Sequence, residues 1–173
     1  MDIVSSIKDL RSSLSGRGSA HRTGLVPTMG ALHDGHLSLV STVQQHASRV
    51  ATTIFVNPTQ FAAGEDFNSY PQTLDADLDA LERAGCDVVF VPDVETMYPA
   101  GSTTFVTVSG PLAEALEGAH RPHCFGGVAT VVTKLLAAAQ ADVAIFGEKD
   151  FQQLKVIERM AADLLLGTEI IGA

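Results

Sequence analysis

The chain has 173 residues, 46 % of them apolar and 18 % charged, enough to bury the core of one ordinary domain and too apolar for a disordered class. A formal charge of −9, from 11 Lys and Arg against 20 Asp and Glu, argues against a nucleic-acid partner, whose phosphates need clustered cations. The two cysteines, Cys86 and Cys124, lack metal or redox spacing, so a reduced, cytoplasmic setting is expected. Nothing at the N-terminus reads as a signal peptide, and no apolar run approaches the roughly 20 residues of a membrane helix, so no membrane partner is expected.

In residues 2–14 the apolar positions Ile3, Val4, Ile7, Leu10 and Leu14 follow a helical period, with Ser5 and Ser6 as caps, and predict a packing helix. A Gly/Ser-rich turn follows at 15–19. Residues 23–40, TGLVPTMGALHDGHLSLV, then read as a strand through Leu25 and Val26 to Pro27, a tight turn, and a helix that continues to about residue 48. His33 and His36 stand three apart in its first turns and can point the same way, beside N–H groups that a helix N-terminus leaves free. Such a place attracts phosphate. Gly30 and Gly35 each remove a Cβ where a nucleotide would approach the backbone. A metal site would need at least a third ligand, and zinc proteases space their histidines by four around a Glu, unlike this stretch.

Residues 50–56 form a buried strand that stops at Asn57-Pro58, so Gln60 lies just past its carboxyl end and is placed to touch a ligand. A polar surface loop is expected at 62–71. Residues 73–84 predict an amphipathic helix on Leu74, Leu78 and Leu81, with Asp75, Asp77, Asp79 and Glu82 facing water and magnesium binding as their alternative use. Gly85 ends it, 88–91 is a third buried strand, and 94–97 a helical turn. Residues 103–108 suggest a short strand at the sheet edge or over the site, and 111–117 a short helix begun by proline. The stretch 118–127 reads as an irregular loop carrying His120, Arg121, His123 and Cys124, where Arg121 could reach a phosphate or pair with an acid. A helix over 128–139 and a buried strand over 141–146 lead to Gly147-Glu148-Lys149-Asp150. A helix then runs from 150 to about 166 on Phe151, Leu154, Ile157 and Met160, and one more strand begins at 168–171. The order predicts one α/β domain over residues 1–173, a doubly wound parallel sheet of Rossmann-like type. Loops around His33/His36, Gln60 and Lys149 all fall at carboxyl ends of strands and should share one crevice.

His33-Asp34-Gly35-His36 resembles the His-x-Gly-His signature of the nucleotidylyl-transferase superfamily, which class I aminoacyl-tRNA synthetases share. Taken in order, PTMGALHDGH, FVNPTQF and FGEKDFQQL resemble the pantoate:β-alanine ligase family over essentially the whole chain. The resemblance implies that pantoate's carboxylate attacks the α-phosphate of ATP, with magnesium accompanying the nucleotide, and that β-alanine's amine then attacks the adenylate. It assigns ATP binding to Met29, Gly30, Ala31, Leu32, His33, Asp34, Gly35 and His36, and to Gly147, Glu148, Lys149 and Asp150. It makes His36 the catalytic acid, with His33 and Lys149 as further donors, and gives Gln60 and Gln153 to pantoate and β-alanine. A homodimer is expected as well.

Two departures stand out. The family's Arg-Pro-x-His-Phe-x-Gly-Val loop has Cys124 in place of its histidine, with His123 one position earlier. The family's smaller C-terminal domain, with a Ser-Ser-Arg loop, lies beyond Ala173, so the chain is expected to be the nucleotide-binding domain alone. Two expectations then compete: an enzyme, or a module that binds ATP or pantoate and dimerises without turnover. A third, another nucleotidylyl transferase, is opposed by the Gln60 and Gln153 motifs.

Overall fold

Strands that are apolar at successive positions need cover on both faces, and a layer of helices on each side of a parallel sheet supplies it. The computed structural model describes residues 1–15, 21–61, 70–121 and 124–173. Among these, the strands β1 (Asp2–Val4), β2 (Thr23–Thr28), β3 (Arg49–Ile54), β4 (Val88–Phe90), β5 (Val143–Phe146) and β6 (Glu169–Gly172) form one sheet. Their order is β1-β4-β3-β2-β5-β6, and all pairs are parallel. This is the doubly wound sheet expected from the alternation of strands and helices.

On one face Val26, Val89, Val143 and Ile145 pack with Val40 and Val43 of α2 (Asp34–Val43) and Leu81 of α3 (Leu74–Arg83). On the other, Leu25, Val88, Phe90, Ala144 and Phe146 meet α1 (Ile7–Leu14), α7 (Cys124–Ala139) and α8 (Phe151–Asp163). Neighbouring strand positions thus feed opposite cores. Fully buried side chains such as Leu25, Ile145 and Ile157 stabilise the fold by about 1.5–3 kcal/mol each. Three one-turn helices, α4 (Val94–Met97), α5 (Pro111–Glu114) and α6 (Glu117–His120), lie between β4 and α7. The chain winds outward from β2 through β3 to β4 on one side, then returns to β5 and β6 on the other. Winding reverses at β2, and a crevice opens at the carboxyl ends of β2 and β5.

Several boundaries differ from the sequence reading. Residues 2–4 are strand, because Ile3 and Val4 pair with Val89 and Phe90; helix α1 starts only after Ser6, whose Oγ accepts from Asp9 N–H at 3.1 Å. Helix α2 ends at Val43, short of residue 48. Residues 103–108 are not a strand: the Val106 N–H and C=O bond the Thr130 hydroxyl of α7 at 3.0 and 3.3 Å. Helix α7 begins at Cys124, four residues earlier than expected, and Glu117–His120 is helical within the expected loop. Phe151 is 58 % exposed, so the core face of α8 starts at Leu154. The turn at 15–19, the loop at 62–71 and His123 fall wholly or largely outside the described residues.

Helix α7 crosses against the 3-10 turn Pro58–Gln60 at a glycine. A Cβ on Gly127 would lie 2.4 Å from the Thr59 carbonyl oxygen, whereas one on Gly126 would meet nothing within 4 Å. Gly127→Ala should therefore cost about 1–3 kcal/mol, read as a lower urea midpoint at unchanged slope. Gly126→Ala should be neutral or stabilising, since it only improves helix propensity.

Candidate active site

The loop leaving β2 is bent by two successive left-handed residues, Gly30 at φ +83° and Ala31 at φ +51°. For a residue with a Cβ this conformation costs about 1–2 kcal/mol, so something must hold it. The holder is Asp77, 3 % exposed in the first turn of α3. Its Oδ2 accepts from Ala31 N–H at 2.9 Å and from the Thr73 hydroxyl at 3.2 Å, and its Oδ1 accepts from Leu32 N–H at 2.8 Å. Hydrogen bonds to a charged group stabilise by about 1.5–3 kcal/mol each and outweigh the strain. The acidic-face expectation fails here: Asp77 shares the helical stripe of Leu74, Leu78 and Leu81, and it faces the loop instead of water.

The loop delivers His33 as the N-cap of α2. Its Nδ1 accepts from Gly35 N–H at 3.1 Å, and Nδ1 of His36 accepts from His33 N–H at 3.4 Å, a reciprocal capping box built from two histidines. The rings lie 4.2 Å apart, tilted by 44°. With Nδ1 accepting in both, the remaining ring donor of each is Nε2. A Cβ on Gly35 would lie 2.8 Å from the His33 ring, so this glycine makes room for an imidazole. Ala31, Leu32 and Gly35 N–H are thus engaged within the protein, and the donors left for an anion are chiefly side chains.

A cleft of about 520 Å³ collects them. His33, His36, Met29, Ala31 and Gly35 line it from the β2 side, Gly147, Lys149 and Asp150 from the end of β5, Gln153 from α8, and Gln60 from the turn after β3. Of the residues expected at the nucleotide, Gly30, Leu32, Asp34 and Glu148 do not line it. Leu32 packs on the core, Asp34 is exposed on α2, and Glu148 N–H donates to Ala173 C=O at 2.8 Å. The opposite wall is apolar: Phe55 with Val131, Val132 and Leu135 of α7. Arg121 is not in the lining and pairs with Glu117 at 3.5 Å, while Cys124 is buried at the start of α7. A second hollow, of about 620 Å³ and lined by Phe105, Val108 and Phe125 among others, holds none of the expected site residues.

Gln60 is oriented from beneath. Asn57, fully buried, donates from Nδ2 to Gln60 Oε1 at 2.9 Å and to Gly127 C=O at 3.2 Å. The Gln60 oxygen is therefore taken, and its NH₂ is the end left for the cleft. Sequence reasoning treated Asn57 only as the end of a strand; an Asn just past the carboxyl end of a buried strand was the available signal. Tyr70, at the edge of the lining, was read only as the close of a loop.

Charge in the cleft is balanced around His36. Burial of its ring, then the neighbouring His33, pulls its pKa below 6.5; Lys149 acts in the same sense, and Asp77 and Asp150 oppose. No group of three or more His, Cys, Asp or Glu suited to a metal occurs among the described residues. Nor is any described helix long and apolar enough to cross a membrane.

Comparison with known proteins gives a consistent result. Residues 2–173 match the family model described as pantoate-beta-alanine ligase. The pantothenate synthetase of Caulobacter vibrioides is 55 % identical over 172 residues, 99 % of this chain and 60 % of that protein. The pantothenate synthetase of Rhodopseudomonas palustris strain HaA2 is 59 % identical over 149 residues, 86 % of this chain and 53 % of that protein. The crystal structure of pantothenate synthetase from Thermus thermophilus superposes with a TM-score of 0.95 at 47 % identity, over 100 % of this chain and 61 % of that one. Pantoate-beta-alanine ligase from Francisella tularensis, solved in complex with beta-gamma ATP and beta-alanine, gives 0.94 at 38 %, over 100 % and 66 %. The chain thus spans about 60 % of the length of the first of these relatives.

Asp77→Ala should lower stability by about 1–3 kcal/mol and speed amide exchange at Ala31 and Leu32 while leaving β3 protected. The His36 Hε1 resonance should titrate below 6.5, and Lys149→Ala should move its midpoint up. Because the folded pKa lies under the unfolded one, His36 contributes stability in full above about pH 6.5 and loses it as pH falls through the folded value.

Proposed function

Because the chain belongs to the pantoate-β-alanine ligase family, we propose that it carries the nucleotide- and pantoate-binding site of an AMP-forming carbon–nitrogen ligase. In this reading an oxygen of pantoate's carboxylate attacks the α-phosphorus of ATP and pyrophosphate leaves. The amine of β-alanine then attacks the acyl carbon of the pantoyl adenylate, loses a proton, and expels AMP to leave pantothenate. The observation that carries the reading is the convergence of His33, His36, Lys149, Gln60 and Gln153 on one cleft. The Francisella complex with beta-gamma ATP and beta-alanine supports the nucleotide and the amine of this reading.

Charge that develops on the α-phosphate must meet donors already in place. His33 and His36 offer Nε2–H groups held by their capping box, and Lys149, which makes no ion pair among the described residues, offers an ammonium. A lowered pKa keeps His36 mainly neutral at pH 7, so its part is that of a positioned hydrogen-bond donor. Gln60 gives its NH₂ to a carboxylate or hydroxyl oxygen of pantoate, and Gln153, on the first turn of α8, gives or accepts from the same side. Phe55, Val131 and Val132 provide the apolar wall that pantoate's two methyl groups require.

Magnesium enters this reading with the nucleotide. The side-chain carboxylate in the lining is that of Asp150, which suits an ion held chiefly by phosphate oxygens rather than by a protein cage. Bound there, the ion would screen phosphate charge. The reading also includes a homodimer, supported by apolar surface at Phe105, 67 % exposed, and Leu116, 76 % exposed. A reduced, cytoplasmic setting is supported by two free, buried cysteines.

Single-turnover pyrophosphate release from ATP and magnesium, with and without pantoate, tests the proposal. His36→Ala should slow pantoate-dependent release by roughly 10²–10³-fold, as the loss of one transition-state donor does elsewhere. An unchanged rate would remove His36 from the chemistry. Absence of pantoate-dependent release in the parent chain would leave binding without turnover as the reading.

A further inference from the structure

Behind Asn57 lies a polar cluster whose polar contact with the cleft lining runs through it. Asn57 Oδ1 accepts three hydrogen bonds: from Tyr98 OH at 2.8 Å, from the Thr59 hydroxyl at 3.0 Å and from Thr59 N–H at 3.3 Å. A backbone N–H can only donate, so Oδ1 is the oxygen and Nδ2 is turned toward Gln60. The ring of Tyr98 is itself held, with Lys134 Nζ 4.2 Å above its centroid while that ammonium bonds Met97 C=O at 2.6 Å and Ser102 Oγ at 3.4 Å. The other face of this arrangement is Phe55, whose ring is 6.4 Å from that of Tyr98 and which forms part of the cleft wall.

Asn57 takes its polarity from the donor-only Thr59 N–H and the acceptor-only Gly127 C=O. We propose that Tyr98, clamped by Lys134, is a positioning residue that steadies this amide and through it Gln60, so that the cleft offers an N–H donor and selects a ligand oxygen there. The chain of contacts is Lys134, Tyr98, Asn57, Gln60, and each link limits the motion of the next. Were Asn57 to rotate by half a turn, its oxygen would face the Gln60 oxygen, and Gln60 would have to turn its NH₂ inward and its oxygen to the cleft. A ligand carboxylate would then meet an acceptor instead of a donor. Tyr98 reaches no ligand in this scheme; it steadies the amide that decides which end of Gln60 does. Burial of the Tyr98 phenol raises its pKa, which keeps the hydroxyl proton available to Asn57.

The identity of that ligand oxygen as pantoate's rests on the function proposed above, so the test has one arm that needs no substrate. The side-chain NH₂ signals of Gln60, assigned by their loss in Gln60→Ala, are recorded by NMR in the parent chain and in Tyr98→Phe, which keeps the ring against Phe55 and Lys134. In the parent the bond to Gln60 Oε1 should displace the NH₂ shifts from those of a free glutamine; in Tyr98→Phe the signals should broaden and move toward the free values. In the second arm the KM for pantoate should rise about 3- to 10-fold, the loss of one net hydrogen bond, with kcat and the KM for ATP within about twofold. Disordered Gln60 signals in a chain without pantoate-dependent turnover would keep the positioning role and remove the substrate. Unchanged Gln60 signals would overturn the proposal, and so would a KM for ATP that rises as much as that for pantoate, because the effect would then be general loosening of the cleft.

Discussion

One buried carboxylate holds the site in shape. Asp77 accepts the N–H groups of Ala31 and Leu32, and those bonds keep a left-handed turn that the chain would otherwise leave. From that turn follow the start of α2, the capping box of His33 and His36, and the side of the cleft on which both rings stand. Asp77 also faces Ile54 across the space where a Gly30 Cβ would sit, 3.1 Å from each, so the bend, the glycine and the carboxylate are mutually required. A buried charge is costly to leave without partners, and here its partners are the backbone of the loop it shapes.

The same economy appears on the other side of the cleft. Asn57 satisfies every polar atom of its amide with protein groups, and Gln60 inherits its orientation from that arrangement. The cleft therefore faces its ligand with side-chain donors whose directions are set by buried neighbours rather than by the ligand. In a chain of formal charge −9, one crevice gathers two imidazoles and an ammonium, N–H donors that suit anionic ligands. The apolar wall from α7 lowers the dielectric beside those donors and strengthens each of them.

Much of this could be read from the amino acids because the two cues involved are local. Alternating strands and helices, with runs such as Val88-Val89-Phe90 that are apolar at every position, name a doubly wound parallel sheet, and loops after such strands name the crevice. His33, His36, Gln60 and Lys149 were expected in one crevice for that reason, whereas Gln153 came only from the family resemblance. What escaped depended on distance in the sequence. Ile3 and Val4 fit a helical period and a short strand equally well; the partner that decides, β4, lies more than 80 residues away. Asp77 looked like one more acid on a solvated helix until the loop it serves was beside it, although its place within the stripe of Leu74, Leu78 and Leu81 already set it apart. Gly127 could not be told from Gly126 without the Thr59 carbonyl that crowds it. Contact across the fold, absent from any window of sequence, separates these pairs.

The strand order also governs when the cleft can exist. Its two sides are joined where β2 meets β5, a contact typified by Thr23 and Asp142, 119 positions apart in the chain. Strands β2, β3 and β4 can align beforehand through shorter crossovers, but closing the loop to β5 is an entropically slow step that awaits later segments. On a ribosome the histidines and Gln60 would emerge long before Lys149 and Gln153, with α7 arriving between them to cover the exposed sheet. Binding competence is therefore a late acquisition of folding, and an early fragment ending before β5 would carry three of the five donors and no crevice to hold them.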